Sequence, residues 1–139
     1  MAEPSNLVAW LTKILAEDKA VAETAAKVNG SAEWTSPDVA DYVYTVTDGN
    51  PYPVACGAYD FMVGGTKRFI ARHDPAAVLA DIEAKRAIIA NCLTWIGGEP
   101  LNAWYDGGRP QDLADETLRL LASAYADRPG YLDEWKPTP

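Results

Sequence analysis

The chain has 139 residues, of which 48% are hydrophobic, and it carries a formal net charge of -8 at pH 7. A chain of this length can bury roughly two thirds of its unfolded surface, so we expect a single domain over residues 1–139. The acidic balance argues against direct nucleic-acid binding, because that function needs a basic face for the phosphate backbone.

The spacing of the cysteines and the lengths of the apolar runs indicate the cellular compartment of the protein. Cys56 and Cys92 lie far apart and lack the CxxC spacing of a zinc or redox site, which predicts buried free thiols in a reducing environment. No run approaches the roughly 18 apolar residues of a membrane span. The N-terminus also lacks a basic region followed by an apolar core, so no signal peptide is predicted. We therefore expect a cytoplasmic protein.

The first predicted element is a long amphipathic helix that follows Pro4-Ser5-Asn6 and ends at Asn29-Gly30. Such a helix is not stable alone, so we expect it to pack across the core; a partner-binding helix is the alternative. Its predicted inner face consists of the apolar residues at three- and four-residue steps, namely Leu7, Trp10, Leu11, Ile14, Leu15, Val21, Ala25 and Val28.

A β-hairpin is predicted next. Residues 42–47 are β-branched and aromatic, residues 52–57 continue that character, and Asp48-Gly49-Asn50-Pro51 between them is a turn sequence. Trp34 is a candidate for a further short strand. Because two or three strands are marginal alone, we expect a helix to cover one face of the sheet.

Gly64-Gly65-Thr66-Lys67 superficially suggests a phosphate-binding loop, but the required order G-x-x-x-x-G-K-[ST] is absent. Thr66 is instead predicted to be the N-cap of a short helix through Arg72, which places Lys67, Arg68 and Arg72 on one exposed turn. Glycine amides beside three positive charges could hold a phosphate. The alternative is a solvated helix face.

The central helix is predicted to begin at Asp74 and Pro75 and to end at Gly97-Gly98. Asp can accept hydrogen bonds from the amides of the first turn, and proline at the first position loses no bond, so both have a structural capping role. The glycine pair suits the C-terminus. The predicted inner face consists of Val78, Leu79, Ile82, Ile89, Leu93 and Ile96.

Arg86 and His73 are the two ambiguous residues of this region. Arg86 projects into the apolar face, where it must pair with a local acid or reach solvent, or else line a pocket for an anionic ligand. His73 is the single histidine, so the sequence lacks the further histidines that a His/carboxylate metal site needs. His73 either caps a helix junction or acts as a general base. We assign no catalytic residue, metal or cofactor.

The last long helix is predicted to begin at Pro110, with acidic residues in its first turns. Asp127-Arg128-Pro129-Gly130 breaks it, and Tyr131 and Trp135 follow at a four-residue spacing that predicts that they hold the C-terminus. The predicted inner face of the helix consists of Leu113, Thr117, Leu120, Leu121 and Ala124.

Two blocks of the sequence are similar to a known group. FIARHDPAAVLADIEAKRAII, followed at the C-terminus by LRLLASAYADRPGYLDEW, resembles a family of small uncharacterised proteins from high-GC actinobacteria and their phages. In that family a helix of the LVAWLTKIL type precedes a variable β segment, and the blocks follow in the same order. The resemblance covers about half of the chain, and Arg128 stands where such members usually have a second histidine.

The family is a domain of unknown function, so the resemblance implies an actinobacterial or actinophage origin and no activity. Small genes of this kind are often accessory genes whose products bind host proteins, which is an association and not a physical argument.

Together, these patterns predict an α+β fold in which a small antiparallel sheet of two or three strands packs against three main helices. The leading hypothesis for function is a non-enzymatic factor that binds a host protein or a second copy of itself. One alternative is a binder of a small anionic ligand, or an enzyme acting on one, that uses Lys67, Arg68, Arg72, His73 and Arg86. The other is an acidic mimic of nucleic acid.

Overall fold

The computed structural model describes residues 4–35, 42–47, 50–56, 64–97 and 110–139. It contains helix α1 (Pro4–Asn29), strands β1 (Tyr42–Thr47) and β2 (Asn50–Cys56), helices α2 (Gly64–Arg72), α3 (Pro75–Gly97) and α4 (Pro110–Ser123), and a 3-10 turn at Asp133–Trp135. The predicted α+β class, with a small antiparallel sheet and helices, is confirmed.

The residues group into two compact units. Residues 17–82 form what we name the middle unit, and residues 1–16 together with 83–139 form the terminal unit. The division falls within α1 and within α3. The expectation of a single domain over residues 1–139 stays a prediction.

Helix α1 ends where the sequence predicts, because Gly30 adopts a positive φ of 78° that suits a residue without a Cβ. Leu7, Leu11 and Leu15 are buried as predicted. The predicted inner face is wrong in the second half of the helix, where Val21 is 70% exposed and Val28 is 78% exposed.

The physical reason is a rotation of the buried face by one residue. Ala22, which stands beside Val21 in the sequence, is buried, and successive residues on a helix point about 100° apart. The buried face of α1 therefore includes the small Ala22, and the larger Val21 lies at the surface.

Strands β1 and β2 form the predicted antiparallel hairpin, with Thr45 opposite Tyr52 and a register shift between Val43 and Tyr44. The further strand near Trp34 is reduced to one bridge, in which Thr35 and Tyr44 exchange backbone hydrogen bonds of 2.7 and 2.9 Å. Val43 and Thr45 are buried on one face of β1, and α2 packs against this strand.

Helix α2 begins at Gly64, so the prediction of an N-cap at Thr66 is wrong. The prediction of one exposed basic turn is also wrong for Lys67, which is only 7% exposed, whereas Arg68 and Arg72 are exposed. Neighbouring helical residues point in different directions, so a helix packed on one side must bury some of its consecutive residues. The long aliphatic stem of lysine makes such burial tolerable.

Helix α3 begins at Pro75 and ends at Gly97, as predicted. Ile82 and Ile89 are buried on its inner face, but the predicted inner residue Leu93 is exposed and its neighbour Cys92 is buried instead. Only near the end of α3 is the inner face shifted by one position from the one that the larger side chains indicate.

Helix α4 begins at Pro110 as predicted, yet its inner face differs from the prediction. Ala114, Leu118 and Ala122 are buried at four-residue spacing, whereas Leu113 and Leu120 are exposed. The alanines on either side of Leu118 have short side chains, which allow a neighbouring segment to approach this face of the helix closely.

An aromatic cluster holds the C-terminal segment within the terminal unit, as the spacing of Tyr131 and Trp135 predicted. The Trp10 ring centroid lies 5.5 Å from that of Tyr131 and 5.4 Å from that of Trp135. The Trp10 indole Nε1 donates a 2.9 Å hydrogen bond to the carbonyl oxygen of Pro129. Tilted aromatic pairs at these distances contribute about 0.5–1.5 kcal/mol each beyond their buried area.

Within the described residues, no helix has the length and apolar character needed to cross a membrane.

Alanine substitutions at two glycines should have different effects on stability, because an added Cβ meets a close neighbour at Gly130 and none at Gly65. Gly130 has a φ of 90°, and a Cβ there would lie 2.9 Å from Trp10 Nε1, an atom that its hydrogen bond holds in place. We expect Gly130→Ala to lower the free energy of unfolding by about 1–3 kcal/mol.

Gly65→Ala is the matched control, because nothing lies within 4 Å of the added Cβ and the residue is helical. It should leave the free energy of unfolding unchanged or raise it by up to about 1 kcal/mol. The measurement is urea unfolding followed by far-UV circular dichroism. Equal effects of the two substitutions would contradict the described packing of Gly130 on Trp10.

Candidate functional site

A mainly apolar pocket of about 240 Å³ lies within the middle unit. We name it the apolar pocket. Its lining includes Asp18, Val21, Ala22, Ala25, Trp34, His73, Pro75 and Val78.

One wall of the apolar pocket is a single face of α1. The four lining residues of this helix stand at positions i, i+3, i+4 and i+7, which is the spacing of neighbours on one helical face. Ala22 and Ala25 have the shortest side chains in the set, so they leave room where larger residues would fill the space. The concavity on this side follows from these alanines.

The opposite wall combines a short loop with the start of α3. In the loop, the Ser31 hydroxyl oxygen accepts a 3.1 Å hydrogen bond from the Glu33 amide, as serine does in tight turns. The Trp34 indole Nε1 donates a 3.3 Å hydrogen bond to the Ser31 carbonyl oxygen. These local bonds fix the orientation of the Trp34 side chain that lines the pocket.

Asp74 joins the loop to the helix. Its Oδ1 accepts a 2.8 Å hydrogen bond from the Ala77 amide, which is the bond of a helix N-cap. Its Oδ2 accepts a 3.0 Å hydrogen bond from the amide of Trp34, forty positions away in the sequence. A further 3.0 Å bond runs from the Ala76 amide to the Ala32 carbonyl oxygen. One buried carboxylate therefore satisfies the helix start and positions a wall of the pocket.

The His73 ring contacts Phe69 in two ways. Its Nδ1 lies 2.8 Å from the carbonyl oxygen of Phe69, and its ring stacks on the Phe69 ring at a centroid distance of 4.3 Å. Because a carbonyl oxygen can only accept, this hydrogen bond forms when Nδ1 carries the proton. In the neutral imidazole, Nε2 is then an acceptor.

The residues predicted to bind a ligand are only partly associated with the apolar pocket. Of these, its described lining includes His73 and none of the four predicted basic residues. Arg86 belongs to the terminal unit, where its Nη1 lies 3.2 Å from Glu83 Oε1 in an i,i+3 ion pair. The prediction that these residues form one binding site stays a prediction.

The remaining lining residues were missed by sequence reasoning. Asp18, Ala22 and Ala25 share a helical spacing that was visible in the sequence, but without a known opposite wall nothing distinguished that face from an ordinary surface. Trp34 lines the pocket through contacts with residues about forty positions away, and a single sequence carries no signal for such contacts.

The described part of the chain holds no metal-binding cluster, and its one described cysteine is not activated. Within the described ranges, no three His, Cys, Asp or Glu side chains are placed to hold a metal ion. Cys92 is free and buried, as predicted for a structural thiol, and burial raises the pKa of that thiol. A raised pKa keeps the sulfur protonated at neutral pH, which makes it a poor nucleophile. The side chain of Cys56 lies outside the described residues.

Removing the carboxylate of Asp74 should destabilise the fold strongly. Asp74→Ala deletes an N-cap bond and a bond to the Trp34 amide, so we expect the free energy of unfolding to fall by about 2–4 kcal/mol. Asp74→Asn keeps one oxygen as an acceptor and should lose roughly half as much. Urea unfolding measures both, and a loss below about 0.5 kcal/mol for Asp74→Ala would contradict this role.

The comparisons with known proteins identify the family of the chain, but they indicate no activity. No curated protein and no solved structure matches the chain significantly. Residues 4–137 match the group described as "Family of unknown function (DUF6221)", which extends well beyond the two sequence blocks noted above. The chain therefore belongs to the family of unknown function DUF6221.

Proposed function

We propose that the protein is a non-enzymatic interaction factor that binds another protein through the apolar pocket. The observation that carries this proposal is the pocket itself, which is small, mainly apolar and bordered by an exposed aliphatic side chain. Its lining offers no arrangement of nucleophile, base and oxyanion donors among the described residues.

The volume of the pocket favours a protein partner over a free small molecule. Pockets for whole ligands usually measure roughly 300–1,000 Å³ and enclose most of the ligand surface. At about 240 Å³, this pocket suits one large side chain of a partner. Side chains that fill such pockets carry most of the binding energy in many protein interfaces.

Val21 supplies an apolar rim for such an interface. It is 70% exposed and lines the pocket beside the buried Ala22. Covering an exposed valine removes apolar surface from water and contributes about 1–2 kcal/mol.

The partner is a host protein in our proposal, because the sequence blocks resemble those of small actinobacterial and actinophage proteins, and small genes of this kind are often accessory genes whose products bind host proteins. Under this proposal the protein acts in the bacterial cytoplasm, either as a cellular accessory protein or as a phage product during infection.

The apolar pocket does not favour an anionic ligand. The described lining of the pocket contains no Lys or Arg, and Arg86 is paired with Glu83. An anion placed in the pocket would meet the carboxylate of Asp18, and like charges repel.

Replacing Val21 should weaken partner binding without affecting the fold. We expect Val21→Gln to reduce capture of the partner about five- to thirtyfold, which corresponds to the loss of about 1–2 kcal/mol. Glutamine has a better helix propensity than valine, so α1 should persist. The measurement is a titrated affinity capture from an actinobacterial lysate, with circular dichroism to verify folding.

Val28→Gln is the matched control, because Val28 is also a highly exposed valine of α1 and is not among the described lining residues of the pocket. It should capture the partner as the unmodified protein does. The proposal fails if no protein is captured saturably, or if the two variants lose capture equally.

A further inference from the structure

We infer that the apolar pocket recognises a peptide segment in which a large apolar side chain is accompanied by a lysine or arginine, and that Asp18 receives the positive charge. This inference rests on the proposed function and specifies the chemistry of the partner at that site.

The first argument is the hydrogen-bonding character of the lining side chains. Asp18 is among the lining residues, and its carboxylate, when ionised, can accept hydrogen bonds but cannot donate them. His73 has its Nδ1 proton committed to the Phe69 carbonyl oxygen, so its remaining ring nitrogen is an acceptor in the neutral form. The one side-chain N–H of Trp34 is committed to the Ser31 carbonyl oxygen. The polar groups of these three side chains are thus acceptors, so a polar group bound beside them must donate.

The second argument is charge. A carboxylate can accept several hydrogen bonds, so Asp18 can receive a partner group in addition to interactions that it makes within the chain. The formal net charge of -8 attracts cationic segments and repels acidic ones during approach. A cation therefore fits the pocket better than a neutral donor.

The third argument is spacing. Asp18 stands three residues before Val21 and four before Ala22, and helical residues at these separations have Cβ atoms about 5–6 Å apart. One apolar side chain in the pocket and one basic side chain at Asp18 can therefore come from a single short segment of the partner. Positions three or four apart on a partner helix satisfy this distance.

The test is a selection of short random peptides displayed on phage, made on the whole chain and counter-selected on Val21→Gln. We expect the enriched peptides to combine a large apolar residue with a lysine or arginine. The best peptide is then synthesised, together with a version in which its basic residue is replaced by glutamate, and both are titrated by isothermal calorimetry.

Three protein variants give the decisive comparison. Asp18→Asn should weaken binding of the basic peptide about two- to fivefold, as expected for a partly exposed ion pair. Asp18→Lys should weaken it further and bind the glutamate version better than the unmodified protein does. Glu17→Gln removes the neighbouring acid, which is not among the described lining residues, and should have no effect.

The outcomes separate this inference from the function on which it rests. If the enriched peptides depend on Val21 but show no basic residue, or if Asp18→Asn and Glu17→Gln act equally, the inference is overturned while the pocket remains a binding site. If no peptide depends on Val21, both fail.

Discussion

The middle unit depends on the hydrogen bonds that the carboxylate of Asp74 accepts. It is buried, and its two oxygens accept hydrogen bonds from amides that the sequence separates by about forty residues. Leaving such a group unsatisfied in a buried position would cost several kcal/mol. Asp74 therefore joins the loop that carries Trp34 to the first turn of α3. Without the amides of both segments, its carboxylate would be buried with unsatisfied hydrogen-bond acceptors.

The chemical character of the apolar pocket follows from this connection. Asp74 itself is occupied by structural bonds, so it shapes the pocket without entering its chemistry. The adjacent residues His73 and Pro75 are carried into the lining because they flank it in the sequence. On the opposite side, alanines of α1 keep the space open. A mainly apolar concavity with acceptor groups at its edge is the result.

Local chemistry allowed much of the fold to be predicted from the sequence. The Asp74-Pro75 start and the glycine at Gly30 set helix ends, since the relevant hydrogen bonds and backbone angles involve residues close in the chain. The β-hairpin followed from its β-branched and aromatic residues. The exposed faces were predicted less well. Val21 and Leu113 lie at the surface while the adjacent Ala22 and Ala114 are buried, and Leu120 is also exposed.

That failure has one cause, because the side of a helix that is buried depends on what packs against it and not on side-chain size alone. The same reason explains why His73 was recognised as a candidate and Asp18 and Trp34 were not. A lone histidine stands out in a sequence, whereas an aspartate and a tryptophan become neighbours in a pocket only through long-range contacts.

The most direct measurement of the central claim is hydrogen exchange of the Trp34 amide by NMR, in the unmodified protein and in Asp74→Ala. If Asp74 Oδ2 holds this amide, Trp34 exchanges slowly in the unmodified protein and loses that protection in the variant. Exchange of the Trp34 amide at the rate of an unstructured peptide, while the Ala76 amide that bonds to Ala32 stays protected, would contradict it.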